Sequence, residues 1–182
     1  MLQGVASILD PEHTEIVESL WRELEREFGL RAASAAYPHF SYQVVEHYDV
    51  GRVKGVLRRF TQKARPFTVR TSGLGLFAGE NPTLYVAIAR NIRLTQLHTR
   101  LWKRLSKTAY GIHEHHYGPD IFIPHITLAA GDFTPEHVPD VIRLLVKRSF
   151  NWEIRVDNLA LVLDAQGTHD QWIHYPFGGG AA

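Results

Sequence analysis

At 182 residues, 45% hydrophobic and 21% charged, the chain has the length and composition to bury a substantial core, as one large domain or two small lobes. A net charge of +1 sets up no whole-molecule field for a long nucleic-acid footprint, which excludes duplex DNA as an expected partner and leaves room for a small phosphate ligand or one RNA end. There is no cysteine, so disulfide and thiol chemistry are excluded, and any zinc site would rest on His and carboxylates. Met1-Leu2-Gln3-Gly4 lacks the basic start and long apolar core of a signal peptide, and no stretch reads as a membrane span. The expectation is a cytoplasmic monomer with no membrane partner, ending in a flexible tail over 178–182.

In chain order, Val5 to Leu9 reads as a strand. Asp10-Pro11 opens a helix whose apolar face is Ile16, Val17, Leu20, Trp21, Leu24 and Phe28, stopped by Gly29. A small-residue loop leads to a strand over roughly 38–46. Asp49 caps a second helix, with Val53, Val56, Leu57 and Phe60 inward, and Phe67 to Phe77 follows as a strand. After the turn cluster Gly79-Glu80-Asn81-Pro82 the pattern restarts. Thr83 to Ala89 is a strand, Leu94 to Leu105 a helix, and 110–120 a loop rich in His, Tyr and Gly. A strand follows over about 121–130, then a helix opened by Thr134-Pro135-Glu136. Trp152 to Leu163 is read as one strand and Gln171 to Phe177 as a last one.

The two halves repeat. Leu20-Trp21 and Leu24 recur as Leu101-Trp102 and Leu105, an offset of 81; Val53, Val56, Leu57 and Phe60 recur as Val138, Val141, Ile142 and Leu145, an offset of 85. Phe67, Val69, Arg70, Leu74 and Leu76 recur as Trp152, Ile154, Arg155, Leu159 and Leu161, again at 85. The chain therefore reads as duplicated β-α-β-α-β units, an α+β domain over 1–177 with lobes of about 3–80 and 82–177 and an insertion in the 110–120 loop.

Two matched motifs sit inside this repeat. Pro38-His39-Phe40-Ser41-Tyr42 recurs as Pro124-His125-Ile126-Thr127-Leu128, an offset of 86. On a strand, residues i and i+2 share a face, so His39 pairs with Ser41 and His125 with Thr127. If the strands lie together, two imidazoles and two hydroxyls converge on a cleft between lobes. With an unperturbed pKa near 6.5, one imidazole can be neutral and act as a base while the other is protonated and acts as an acid. In-line displacement at phosphorus needs both, and the hydroxyls can donate to the non-bridging oxygens without adding charge. Nothing in this design requires a metal or another cofactor.

These paired His-x-Ser/Thr motifs, one in each half of a chain of this size, resemble the two-histidine (2H) phosphoesterase superfamily, and within it the 2′-5′ RNA ligase-like proteins, also called RNA 2′,3′-cyclic phosphodiesterases. The resemblance runs over residues 3–177, its specific part being the two four-residue motifs. It implies a bilobed fold in which two antiparallel-dominated sheets line a central cleft with helices outside. It also implies metal-independent hydrolysis of a 2′,3′-cyclic phosphate, usually to a 2′-phosphate, with weak reverse ligation in some members. Carried over by motif, His39 and His125 form the acid/base pair, and Ser41 and Thr127 hold the phosphate. Ser stands where the family's first motif often has Thr.

The implied partner is an RNA 3′ end or a small cyclic nucleotide. Tyr42, Tyr117, His115 and Tyr175 are candidate contacts to it, since aromatic rings commonly grip unpaired bases. Arg70 and Arg155 are equivalent in the repeat and could flank a phosphate, although arginine on an alternating strand more often faces solvent. His113-Glu114-His115-His116 is dense in metal-type ligands but matches no strong zinc spacing. His98, on an apolar helix face, reads as a packed core histidine. The basic runs Lys103-Arg104 with Lys107, and Arg58-Arg59 with Lys63, read as solvated helix faces. Two rivals stand beside the cyclic phosphodiesterase: a non-catalytic RNA-end or nucleotide binder using the same cleft, and a zinc-dependent hydrolase built on the 113–116 loop.

Overall fold

Strand β1 (Gln3–Ile8) runs into Asp10, whose carboxylate accepts the His13 amide at 3.0 Å and starts helix α1 (Pro11–Phe28) with proline in its first turn. The buried stripe of Val17, Leu20, Trp21 and Leu24 follows the 3.6-residue period, and Gly29 ends the helix at φ 73°, a conformation open to glycine without steric cost. This computed structural model describes residues 2–163 and 172–178. A short 3-10 turn leads into β2 (His39–Tyr48), α2 (Val50–Thr61) and β3 (Phe67–Phe77). Then come β4 (Thr83–Ala89), α3 (Ile92–Leu105), β5 (Ala109–His113), β6 (His125–Ala129) and α4 (Val138–Leu145). The last strands are β7 (Glu153–Val156), β8 (Asn158–Val162) and β9 (Trp172–Pro176). Residues 179–182 of the expected tail lie outside the described residues.

The strands form two antiparallel sheets, ordered β5-β2-β1-β8-β9 and β6-β4-β3-β7. The chain is thus an α+β protein with two sheets, as the repeat and the resemblance imply. Two local readings need correction. The expected 110–120 loop begins as a strand: β5 lies along β2, pairing Val45 with Ile112 and His47 with Tyr110. Its polar sequence hid it, because an edge strand with little burial carries no apolar alternation. The expected single strand from Trp152 to Leu163 is two strands in different sheets. The chain leaves one ladder at Asp157, whose carbonyl accepts the Phe177 amide at 2.8 Å, and enters the other as β8.

That switch interleaves the two halves. The second half's β8 pairs with β1 and its β5 with β2, and the first half's β3 pairs with β4, so each sheet holds strands of both halves. Helix α1 packs on β6 and α3 on β2, the same exchange made by helices. Strands β3 and β7 pair Phe67 with Val156, Val69 with Ile154, and Arg70 with Glu153. Val69 and Ile154 are also the 85-residue repeat equivalents, so at this point the register pairs matching residues of the repeat, and both side chains are fully buried. One large core spans both sheets and all four helices, while Ala6, Ala160, Val162 and Trp172 form a smaller cluster.

Trp21 is the main fastening between α1 and the second motif strand. It is 6% exposed and its Nε1–H donates to the Thr127 carbonyl at 3.2 Å. Trp21→Ala is expected to cost about 3–5 kcal/mol of unfolding free energy in urea, because it opens a cavity and orphans that carbonyl. A loss below about 1 kcal/mol would show that β6 does not depend on this helix.

Candidate active site

Side-chain alternation places each motif as the sequence predicts. On β2, His39 and Ser41 are half-buried, whereas Phe40 and Tyr42 between and after them are buried. On β6, His125 and Thr127 are half-buried and Ile126 and Leu128 are buried. Strands β2 and β6 lie close across the two sheets, near enough for a charge on His39 to act on His125. Among the described residues, neither the Ser41 nor the Thr127 hydroxyl has a hydrogen-bond partner, so both are available to a ligand.

Each motif strand also carries a β-bulge directly after its hydroxyl residue. The β1–β2 register passes from Ala6 opposite Ser41 to Val5 opposite Gln43, skipping Tyr42. The β4–β6 register passes from Tyr85 opposite Thr127 to Leu84 opposite Ala129, skipping Leu128. The skipped residues are 86 apart, the offset of the histidines themselves. A bulge bends its strand and re-aims the side chains beside it, so the repeat preserves the device that turns each His-x-hydroxyl pair. Where the bulge displaces the Tyr42 carbonyl, His98 Nε2 meets it at 3.1 Å. His98 is 2% exposed and lies flat on Phe122 at 3.7 Å, the packed core histidine expected from its helix face. Its ring also bonds the Tyr117 backbone, tying the motif strand to the 114–123 loop.

The two imidazoles are held alike. His39 Nδ1 lies 2.6 Å from the Tyr37 carbonyl and His125 Nδ1 lies 2.7 Å from the Ile123 carbonyl, in each case two residues back. A carbonyl only accepts, so Nδ1 carries the hydrogen and Nε2 is left as the reactive nitrogen. Burial lowers the pKa of His39, against the raising effect of the Tyr37 carbonyl. Burial likewise brings His125 down to about 4, with the charges of His39 and His116 adding to the shift and the Ile123 carbonyl opposing it. In the free protein at neutral pH both rings are therefore neutral.

Aromatic rings surround the pair, and most of them were not singled out in the sequence. Trp172 stands edge-on to His39 at 4.9 Å. Phe77 stands edge-on to His125 at 5.0 Å, and Tyr85 lies 5.2 Å from it. His116 stacks on Phe77 at 3.8 Å with 12° between the planes. Gly75 makes the Tyr85 placement achievable: a Cβ there would come within 2.3 Å of the tyrosine ring. Tyr85 sits in a run of apolar residues with no alternation to show its face, and Phe77 and Trp172 sit at strand ends, so only the Gly75 position hinted at a ring lying over the sheet.

Of the candidate contacts, Tyr117 reaches the site, with its ring 6.0 Å from His125, and His115 lies beside it against His116 at 3.9 Å. Two others are corrected. Tyr42 is 1% exposed and its hydroxyl is 2.8 Å from Ser7 Oγ, so it is a core residue on the face opposite His39 and Ser41. Tyr175 packs with the main core and feels Arg58 of α2, whereas its neighbours Trp172 and His174 turn to Tyr37 on the other face. Strand alternation separates them. Arg70 and Arg155 are exposed and paired with Glu153 and Asp157, so neither flanks the histidines. Among the described residues, no three His, Asp or Glu side chains gather into a metal-binding group, the 113–116 run included. No described helix is long and apolar enough to cross a membrane. His169 lies outside the described residues.

A family model for the 2′-5′ RNA ligase superfamily matches residues 10–168, and the chain belongs to that superfamily. Among curated relatives, a protein of Bacillus cytotoxicus named as a phosphoesterase is 27% identical over 122 residues, which is 66% of this chain and 64% of that protein. One from Bacillus cereus is 29% identical over 106 residues, 58% of this chain and 56% of its own length. The chain thus spans somewhat under two thirds of the relatives it matches. The fold is shared with TT0787 of Thermus thermophilus, at a TM-score of 0.58 and 16% identity over 100% of both chains. It is shared also with E. coli LigT complexed with 3′-AMP, at 0.56 and 17% identity over 96% of this chain and 93% of that one. Kluyveromyces marxianus Usb1 has the same fold at 0.55 and 12% identity, over 96% and 97%.

The buried histidines make stability depend on acidity. His98 falls from its ordinary 6.5 to about 4 on folding, through burial opposed by its bonds to the Tyr42 and Tyr117 backbone. Between those values the unfolded chain holds a proton that the folded chain lacks, so stability is full above pH 6.5 and declines as pH falls toward 4. His98 contributes roughly 3 kcal/mol to that decline, and His125, shifted to about the same value, adds to it. His98→Gln is expected to remove one proton from the pH-stability slope measured by denaturant unfolding across this window. An unchanged slope would show that His98 does not carry it.

Proposed function

We propose that this chain is a metal-independent cyclic phosphodiesterase that opens a 2′,3′-cyclic phosphate on an RNA end or a small nucleotide. The observation that carries this reading is the twinned geometry: two imidazoles on neighbouring motif strands, each fixed through Nδ1 by the carbonyl two residues back, each with an unengaged hydroxyl two residues on. Superfamily membership supports it, as do the nucleotides named with structures of the same fold, 3′-AMP with E. coli LigT and uridine monophosphate with Kluyveromyces marxianus Usb1.

In the reaction, a water oxygen bonds to phosphorus as the bond from phosphorus to one ribose oxygen breaks. The neutral imidazole takes the water proton at Nε2, and the charged imidazole gives its own to the departing ribose oxygen. Ser41 and Thr127 donate to the non-bridging oxygens, where negative charge builds, from positions set in advance by the two bulges. The product is a ribose 2′-phosphate beside a free hydroxyl, and proton exchange with solvent restores the pair. A 5′ hydroxyl in place of water gives a 2′-5′ linkage by the same proton movements. The aromatic rings of Phe77, Tyr85, His116 and Tyr117 supply stacking surface for the base.

His39→Ala and His125→Ala are each expected to lower turnover of a 2′,3′-cyclic nucleotide by about 10²–10⁴-fold, and Ser41→Ala or Thr127→Ala by about 10², with a chelator leaving the wild type unchanged. Retained turnover in either histidine variant, or loss on chelation, overturns the mechanism. Nucleotide binding without product assigns the cleft to a non-catalytic binder instead.

The pH dependence follows from the same residues. The working state holds one proton between the two imidazoles, and both are shifted below the ordinary 6.5 in the free protein. The bell of kcat/KM against pH is therefore expected to centre on the acid side of 6.5 and fall as the pH rises through neutrality. A profile centred above pH 7.5 would count against this pair as the acid and base.

A further inference from the structure

The small net charge conceals a strong separation of charge. From Val50 to His113 the chain carries 13 of its 20 Lys and Arg residues and one of its 19 Asp and Glu residues, Glu80. Outside that segment all six arginines (Arg22, Arg26, Arg31, Arg143, Arg148 and Arg155) are in ion pairs. Inside it, among the described residues, Arg70 alone of nine arginines has a carboxylate partner. The unpaired cations converge, because the segment contains both α2 and α3, which pack side by side.

Between those helices lies a groove of about 370 Å³ lined by Arg59, Lys63, Arg65, Arg93, Arg100 and Arg104, with no acidic residue in its walls. A second hollow of about 490 Å³ continues it through the shared Arg59 and Arg104 to Arg52 and Lys107. Its shape is built in. Gly51 and Gly55, one turn apart on α2, line the second hollow, and the Arg59 guanidinium folds back over Gly55, 3.4 Å from where a Cβ would sit. Two glycines inside a 12-residue helix weaken it, and here they keep a wall low beside the arginines. Arg104 lies over the Phe60 ring at 5.4 Å, which holds its planar fork in place.

We infer that this groove is a second binding site, for the phosphodiester backbone of single-stranded RNA upstream of the end that enters the histidine cleft. The inference rests on the phosphodiesterase reading and supplies its substrate class, a polymer rather than a mononucleotide. Arginine dominates the lining six to two over lysine, and its fork matches phosphate oxygens bidentately. From Arg93 to Arg104 the groove follows eleven residues of α3, about 16 Å, and the eight cations of the groove and of the hollow that continues it suffice for about four phosphates. A recess between two helices admits a strand and excludes a lipid surface. Helices α2 and α3 pack on strands of the first sheet, β2, β8 and β9, so the groove lies on the helix side of that sheet. His39 is on its other side. A strand held there presents its end over the sheet edge without competing for the cleft.

The test is fluorescence anisotropy with a labelled single-stranded RNA ending in a 3′ hydroxyl, which binds without reacting. The wild type is expected to bind with a log-log salt slope of about −3, as four neutralised phosphates require. R59Q/R100Q/R104Q is expected to bind at least 10-fold more weakly with a shallower slope, with an unchanged thermal melting midpoint and unchanged turnover of a 2′,3′-cyclic mononucleotide. A single variant, R100Q, repeats the test should the triple variant melt early. Equal RNA affinity in wild type and variants overturns the inference. So does equally tight, variant-sensitive binding of polyglutamate or phosphatidylserine vesicles. Loss of mononucleotide turnover in the wild type would defeat the phosphodiesterase reading and leave this binding measurement standing, so the two failures are separable.

Discussion

The pairing of β3 with β7 at Val69 and Ile154 is the constraint on which the rest of the structure depends. Both residues are fully buried and each is the other's repeat equivalent, so the two matching segments of the repeat are joined directly by strand pairing. Around it each sheet combines strands of both halves, and each half lends a helix to the other's motif strand. Neither half can bury its apolar faces alone, because the strand that completes each sheet comes from elsewhere in the chain. The same exchange brings β2 and β6 together, which a pair of independent lobes would not do.

Burial at this junction also sets the chemistry. Imidazoles at the cleft lose solvent, and the loss of solvent disfavours their charge more than the two backing carbonyls favour it. The free protein then holds two neutral imidazoles at neutral pH. The bulges at Tyr42 and Leu128 lie 86 residues apart, so the two motif strands match in backbone irregularity as well as in side chains. At Tyr42 the irregularity is stabilised by His98, which fills the hydrogen bond that the ladder gives up.

The charge distribution divides the molecule differently from the repeat. At the 85-residue offset Arg58 has its counterpart in Arg143, which is paired with Asp140 on its own helix, and Arg59 falls on Leu144. The second half keeps its helix α4 electrically balanced while α2 and α3 stay unbalanced. The two His-x-hydroxyl motifs are matched across the repeat, and the outer helix faces are not.

Much of this was legible in the sequence. Period-2 alternation placed His39 with Ser41 and His125 with Thr127, the offsets exposed the duplication, and caps such as Asp10 and Asp49 marked where helices begin, because each of these depends on neighbours within a few residues. What only the tertiary structure decided was anything that depends on partners far along the chain. The break of Trp152–Leu163 into two sheets, the strand at Ala109–His113, and the rings of Phe77, Tyr85, His116 and Trp172 beside the imidazoles follow from register and sheet membership. Tyr42 and Tyr175 show the limit most plainly. Both are aromatic residues on strands that reach the site, yet one residue of strand phase turns each into the core, and phase at a bulge or a sheet edge is set by the long-range pairing that local pattern does not contain.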